Sequence, residues 1–189
     1  MQNDMLVVSD LQRALIVEIE ALLANLVTIK EETINPDDPT QYREYNTRYS
    51  DGTRHKKGFT GYAQFLPKLV NDDDDPDQYF PYFIVRVDKG KTENDDSLWT
   101  VTADIIIGVH DADVKNNGHF TVLNAITRIT KRFAEEATLG YAGRKAFRCH
   151  SDMEWALQDE DTWPYFFGGV ELKFDVPKPM RKEPNYGCW

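Results

Sequence analysis

Apolar residues recur at helical spacing in two segments of the chain. The first segment, which starts after Ser9, places six apolar side chains on one face: Leu11, Leu15, Ile19, Leu22, Leu23 and Leu26. Ser9 and Gln12 stand three residues apart, as the partners of a capping box do, and we predict a first helix over residues 9–26. A second helix is predicted over residues 118–136 from a similar stripe: Val122, Leu123, Ile126, Ile129 and Phe133.

Alternation of apolar and other side chains marks the strands. It is clearest over residues 98–110, where every second position is apolar: Trp99, Val101, Ala103, Ile105, Ile107 and Val109. Residues 80–89 form a second strand candidate, and the polar loop between the two predicts an antiparallel hairpin. Residues 170–176 alternate as a half-solvated strand does, and residues 146–150 and 153–158 are short strand candidates.

Periodicity is weak between the first helix and the central strands. Residues 35–78 have the composition of short strands and long loops, with tyrosines, glycines and four prolines: Pro36, Pro39, Pro67 and Pro76. Asp51-Gly52 supplies the positive φ that a tight turn needs, so we predict a hairpin flanked by residues 42–49 and 59–65. The whole segment is predicted to be a long irregular insertion rather than a separate domain.

The order of the predicted elements determines the fold class. One helix, an irregular insertion, two strands, a second helix and three strands predict an α+β protein, with an antiparallel or mixed sheet and two helices packed on one face. A chain of 189 residues suits a single α+β domain, which we place over residues 1–178. Pro177 and Pro179 end the last strand, and an extended C-terminal arm over residues 179–189 is expected after it.

The chain is acidic, and its charges are unevenly distributed. It holds 32 acidic and 22 basic residues, a formal net charge of −10, which argues against a general DNA or RNA coat because phosphate binding needs a basic surface. Residues 71–96 contain nine acids and three bases, net −6, and residues 128–148 contain six bases and two acids, net +4. Such a separation suits head-to-tail contact between identical subunits.

These stretches and the C-terminal arm supply the candidate interface residues. They are Arg128, Lys131, Arg132, Arg144, Lys145, Asp72, Asp73, Asp74, Asp75, Lys178, Arg181, Lys182 and Trp189. Trp189 is the candidate anchor, because large aromatic side chains dominate the binding energy of interfaces. Ordinary scatter of surface charge is the alternative explanation of the same distribution.

Candidate chemistry is sparse. His110, Asp111, Asp113 and His119 are metal-ligand types close together, and they define the alternative of a metal-dependent hydrolase, although Asp111 and Asp113 are better explained as turn residues. The acidic run over residues 72–77 lacks the glycine and distal glutamate of a calcium-binding EF-hand loop. The sequence has no P-loop, GxSxG elbow or GxGxxG fingerprint. We predict no catalytic residue, metal or cofactor, and hence no enzyme.

The cysteines and the apolar runs bear on the compartment. Cys149 and Cys188 lack CxxC spacing and are predicted to be reduced thiols of a cytosolic protein. Cys149 and His150 are neighbours, so on a strand they point to opposite faces and form no catalytic pair. No secretory signal and no apolar run of membrane-spanning length occurs. We expect a protein without membrane contact, in the cytosol or in a particle assembled there.

Two stretches resemble a known family. Residues 104–111, DIIIGVHD, are followed by Gly118 and by VLNAI over residues 122–126, and together they are similar to phage tail terminator (tail completion) proteins, in particular those encoded by prophages of Gram-positive bacteria. WPYFFGGVEL over residues 163–172 resembles the same family. The likeness extends over residues 80–178 and the first helix, and its motifs are structural rather than catalytic.

The resemblance implies a structural virion protein of the tail or neck, assembled in the host cytoplasm. Such a subunit would form a ring, commonly a hexamer, that ends polymerisation of the tail tube and offers a surface for joining the head. Its partners would be copies of itself, the tail tube protein and a head-completion or neck protein, while DNA passes through the lumen without specific binding. The insertion over residues 35–78 is longer than compact terminators have, so another neck or connector protein, or an adaptor domain without a viral role, stays as an alternative.

Overall fold

The computed structural model describes residues 7–24, 26, 46–48, 54–56, 58–68, 79–92, 98–111 and 118–177. Within these ranges the chain forms two helices and nine strands. In chain order they are α1 (Val8–Leu23), β1 (Asn46–Arg48), β2 (Arg54–Lys56), β3 (Thr60–Ala63), β4 (Tyr82–Lys91), β5 (Trp99–His110), α2 (Gly118–Glu135), β6 (Thr138–Tyr141), β7 (Arg144–Cys149), β8 (Glu154–Leu157) and β9 (Tyr165–Val176).

Seven of the strands form one mixed sheet. Their order is β3-β4-β5-β9-β7-β6, and β8 also pairs with β9. Among the described strands of this sheet, only β3 and β4 pair in parallel. The central strands β5 and β9 pair along their whole length, from Trp99 opposite Val176 to His110 opposite Tyr165. Because the sheet is mixed and the described residues contain two helices, the predicted α+β class is confirmed.

Both helices pack on the same face of this sheet. Core positions alternate along residues 101–109 of β5 and along residues 170–176 of β9. Phe133 of α2 meets Phe174 of β9 edge to face, with ring centroids 5.5 Å apart. Each helix buries one stripe over this layer: Leu11, Leu15, Ile19 and Leu23 from α1, and Val122, Ile126, Ile129 and Phe133 from α2. Helices and sheet thereby enclose one continuous apolar core.

The first helix starts one residue earlier and ends three residues earlier than predicted, at Val8–Leu23. The predicted capping box is wrong, because Ser9 already lies inside the helix. Asp10 supplies the cap, since its carboxylate accepts a hydrogen bond of 3.1 Å from the Val7 N–H. A carboxylate in the first turn also interacts favourably with the positive end of the helix dipole.

Gln12, predicted as a capping residue, connects α1 to the sheet. Its side-chain amide donates to the Val85 carbonyl of β4 at 2.8 Å and to Gln64 Oε1 at 2.9 Å. Gln64 follows β3 with a positive φ of 66°, and its side chain exchanges two hydrogen bonds with the backbone of Val87. The two glutamines thus fix α1, the end of β3 and the middle of β4 together.

Several strand predictions need correction. The hairpin partner of β1 is β2, not a strand over residues 59–65; that region contains β3, which pairs with β4 instead. β6 was not predicted, and β9 starts at Tyr165 rather than at residue 170. The β4–β5 hairpin and α2 are confirmed, with shifts of one or two residues at their ends. Most of the 35–78 insertion and the 179–189 arm lie outside the described residues.

Candidate assembly surface

The sheet face opposite the helices, here called the outer face, divides into an aromatic end and a charged end. Alternation along the central strands places its side chains in rows that run across β4, β5 and β9. The aromatic end carries Phe80, Tyr82, His110, Tyr165 and Phe167. The charged end carries Arg86, Asp104, Glu171, Lys173 and Asp175. The outer face therefore has an aromatic end, in which Tyr82 and His110 are buried within the subunit, and a charged end whose side chains are partly exposed.

Phe80 is the centre of the aromatic end. Its ring centroid lies 5.0 Å from that of Tyr82, 5.4 Å from that of Tyr165 and 6.2 Å from that of Phe167. His110, only 5% exposed, stacks on Tyr165 with centroids 4.6 Å apart. Burial raises the pKa of the Tyr82 phenol, because the charged form is poorly solvated there.

Gly108 makes room for the aromatic end. It lies opposite Tyr82 in the β4–β5 register, and a Cβ built on it would stand 2.5 Å from Tyr82 Cζ. The Tyr82 ring is itself held by Phe80 and is 7% exposed, so it has little room to move away. Glycine at this position therefore serves close packing rather than a turn.

Carboxylates crowd the charged end. Asp104 lies directly opposite Glu171 in the β5–β9 register, and Arg86 Nη2 stands 3.5 Å from Asp104 Oδ2. Burial is the main cause that raises the pKa of the Asp104 carboxyl; Arg86 opposes it, and Asp88 and Glu171 add to it. The Arg86 guanidinium thus offsets only part of the cost of placing a carboxylate here.

A second charged group surrounds His150 at the end of β7. His150 Nε2 lies 2.7 Å from Asp175 Oδ1, and its Nδ1 lies 3.8 Å from Asp152 Oδ1. Lys173 Nζ donates to Asp152 Oδ2 at 2.7 Å. That hydrogen bond is the main cause that lowers the pKa of the Asp152 carboxyl and raises the pKa of the Lys173 amine. The group connects β9 to the turn before β8.

The predicted interface residues on α2 occupy different environments. Arg132 binds within the chain: it pairs with Glu18 of α1 and donates to the carbonyls of Glu136 and Thr138. Arg128 is exposed and donates to a carbonyl of α1. Lys131 is 69% exposed and pairs with Glu135 across one helical turn at 3.7 Å. Arg128 and Lys131 thus face solvent in the subunit, whereas Arg132 joins α1, α2 and β6.

The other predicted interface residues are placed only in part. Arg144 and Lys145 lie on β7, but their side chains are outside what the structure describes. The acidic run Asp72, Asp73, Asp74 and Asp75 and the C-terminal residues Lys178, Arg181, Lys182 and Trp189 also fall outside the described residues. Those eight residues stay a prediction from sequence.

The residues of the alternative metal site form no group of metal ligands within the described part of the chain. His110 stacks in the aromatic end, and His119 lies in the first turn of α2 with its ring 4.3 Å from that of Phe120. Asp113 is outside the described residues, and within them no three His, Cys, Asp or Glu side chains form a group that could hold a metal ion.

Cys149 and His150 point apart: Cys149 is 3% exposed in the core, and its burial raises the pKa of the thiol to about 12.

Two exposed tryptophans, on β8 and on its connection to β9, were not predicted as interface residues from the sequence. We call residues 152–163, which comprise β8 and its connection to β9, the β8 arm. Trp155 and Trp163 are 58% and 53% exposed, and the arm contains five acids and no base: Asp152, Glu154, Asp159, Glu160 and Asp161. The net charge of −5 was readable in the sequence. The exposure was not, since it depends on β8 lying at the margin of the sheet.

Hydrogen bonds hold the β8 arm in a defined conformation. The Gln158 amide donates to the Glu160 carbonyl at 2.8 Å and to the Thr162 hydroxyl, and that hydroxyl donates to the Tyr165 carbonyl at 2.6 Å. Asp161 Oδ1 accepts from the Trp163 N–H at 3.1 Å. A surface held in this way loses less conformational entropy on binding than a mobile loop would.

No protein-family model and no curated protein matches the chain. Neither described helix is long and apolar enough to cross a membrane.

Proposed function

We propose that the chain is a structural subunit of a phage tail that assembles with copies of itself into a ring and ends the tail tube. The observation that carries the assembly is the pair of indoles on the β8 arm, each more than half exposed. Exposed tryptophans held on an ordered hairpin are typical anchors of protein interfaces. The resemblance of residues 104–126 and 163–172 to tail terminators supports the particular assembly.

In this proposal the ring works through complementary surfaces rather than chemistry. One side of the ring pairs with the last layer of tube subunits, and the other side lacks the surface that a further layer would need, so growth stops. A ring of six copies of an acidic chain, each with net charge −10, repels the phosphates of DNA and lets it pass without adhering. The head-completion or neck protein binds the side that faces away from the tube.

Tube growth in the presence of the protein tests the proposal. Purified tail tube protein is polymerised with and without the chain, and tube lengths are measured by electron microscopy. We expect shorter tubes that carry extra density at one end, together with an oligomer in light scattering. A neck or connector protein would bind head-side partners but leave tube length unchanged. A monomer without affinity for tube protein would refute the proposal.

A further inference from the structure

The β8 arm has the chemistry of a docking site for a basic, proline-containing segment. Three of the four residues of β8, Glu154, Trp155 and Ala156, are exposed, and Asp159 and Glu160 are exposed beside them. Acidic side chains therefore flank an exposed indole on an ordered hairpin. Proline-rich segments bind exposed aromatic rings because they are already extended and lose little entropy, and basic side chains beside the prolines would pair with the acids.

The sequence contains one segment of that composition directly after β9. Residues 177–184, PKPMRKEP, hold three prolines and three bases, Lys178, Arg181 and Lys182, against the single acid Glu183. Their net charge of +2 complements the net charge of −5 of the β8 arm. Tyr186 and Trp189 follow and could add aromatic contact beside Trp155.

We propose that the β8 arm of one subunit binds residues 178–184 of a neighbouring copy. The inference rests on the proposed self-assembly and names the contact that would close the ring. Each subunit has one acidic arm and one basic segment, and such a pair of unlike surfaces repeats head to tail around a closed ring.

Strand order favours the neighbour's segment over the subunit's own. β8 pairs with Gly168, Gly169, Val170 and Glu171 of β9, whereas β7 pairs with Phe174 and Asp175. β7 therefore occupies the same margin of β9 between the β8 arm and the end of β9 at Val176. A subunit's own segment would have to reverse direction after Val176 to reach its β8 arm, a constraint that the segment of a neighbour does not have.

Charge reversal in the full-length chain tests this contact. The arm variant carries Glu154→Lys, Asp159→Lys and Glu160→Lys, and the segment variant carries Lys178→Glu, Arg181→Glu and Lys182→Glu. A control variant with Glu31→Lys, Glu32→Lys and Asp37→Lys changes the net charge by the same amount as the arm variant, at acids outside the β8 arm and outside the charged stretches over residues 71–96 and 128–148. Self-association is measured by sedimentation velocity, and circular dichroism verifies that each variant is folded.

We expect the arm and segment variants each to weaken self-association by roughly a hundredfold or more, because like charges then face each other. The control should associate as the unchanged chain does. An equimolar mixture of arm and segment variants should associate again, since every arm then meets a segment of opposite charge on the other variant.

Other outcomes separate this inference from the proposed function. If the unchanged chain assembles and both reversal variants assemble equally well, the contact is wrong and the ring proposal stands. If a variant that carries all six substitutions regains self-association but the mixture of the two variants does not, the segment binds its own subunit. That result also overturns the inference. If the unchanged chain stays monomeric with and without tube protein, the proposed function fails first.

Discussion

At the scale of single residues, Gly108 shows how one missing side chain sets the packing of the outer face. Gly108→Ala would put a methyl group against the ring of Tyr82, where the ideal Cβ lies 2.5 Å from Cζ. We expect a loss of about 1–3 kcal/mol in the free energy of unfolding, as for overpacked cores. Gly90→Ala is the matched control, because its nearest contact is Val101 Cγ2 at 3.6 Å. Chemical denaturation measures both, and equal effects would contradict the packing argument.

Two carboxyls should give stability changes of opposite sign with pH. The pKa of Asp104 is raised in the folded chain, so the native state binds this proton more tightly and the group's contribution to stability falls as pH rises through the acidic range. The stability of Asp104→Asn relative to the unchanged chain should therefore increase from about pH 3 to pH 7. The pKa of Asp152 is lowered instead, so the stability of Asp152→Asn relative to the unchanged chain should decrease over the same pH interval. Urea midpoints across pH measure both trends; parallel trends would rule out this assignment.

The buried thiol of Cys149 should be nearly inert in the folded protein. Burial raises its pKa to about 12, and only the thiolate reacts. In a Cys188→Ser background we expect labelling by a disulfide reagent at about pH 8 to be roughly a thousandfold slower than for a free thiol. Labelling in denaturant serves as the control and should be fast. Rapid labelling of the native variant would show that β7 is not packed as described.

At the scale of elements, Arg132 is the joint between the two helices and β6. It is 22% exposed and binds Glu18 together with two carbonyls. Arg132→Ala should lower the free energy of unfolding by about 1–3 kcal/mol, because charged hydrogen bonds in a partly buried site are lost. Lys131→Ala, at a side chain that is 69% exposed, should change it by less than about 0.5 kcal/mol. Thermal or urea unfolding compares the two variants. Similar losses in the free energy of unfolding would contradict the role of Arg132 in holding α1, α2 and β6 together.

Elements with a regular pattern were predictable, and those defined by their neighbours were not. β5 and α2 follow from alternation and helical spacing because each buries one face. The first half of β9 was missed because Gly168 and Gly169 interrupt its alternation; at Gly168 the side chains of Val122 and Leu157 fill the space instead. The parallel pairing of β3 is with β4, and Gln64 at the end of β3 bonds to Val87, which lies 23 residues later in the sequence. Local patterns carry no information about such contacts.

At the scale of the whole molecule, the sequence indicated which stretches are charged but not where their side chains lie in the fold. The acidic and basic stretches were visible as charge, yet Arg132 proved to bind within the subunit. The β8 arm carries five acids beside two tryptophans, and its exposure follows from strand order. Composition therefore reveals which residues are unusual, whereas the fold determines which of them reach the surface.

The exposed indoles should matter for assembly more than for folding. Trp155→Ala with Trp163→Ala should leave the unfolding midpoint nearly unchanged, because both side chains are more than half exposed. Self-association should weaken by at least tenfold, as expected when interface anchors are truncated. Phe65→Ala is the control, since Phe65 is 73% exposed but follows β3 at the opposite margin of the sheet. Sedimentation velocity measures association, and equal behaviour of both variants would exclude the arm as the anchor.

The pairing of β5 with β9 also bears on how the chain is made. During translation, β5 emerges from the ribosome 55 residues or more before its partner, since His110 pairs with Tyr165 and Trp99 with Val176. Until β9 arrives, one margin of the most apolar strand has no native partner, and such margins recruit strands from other chains. Slower synthesis over residues 111–164 would prolong that interval. The yield of soluble protein should therefore depend on the speed of translation across this stretch.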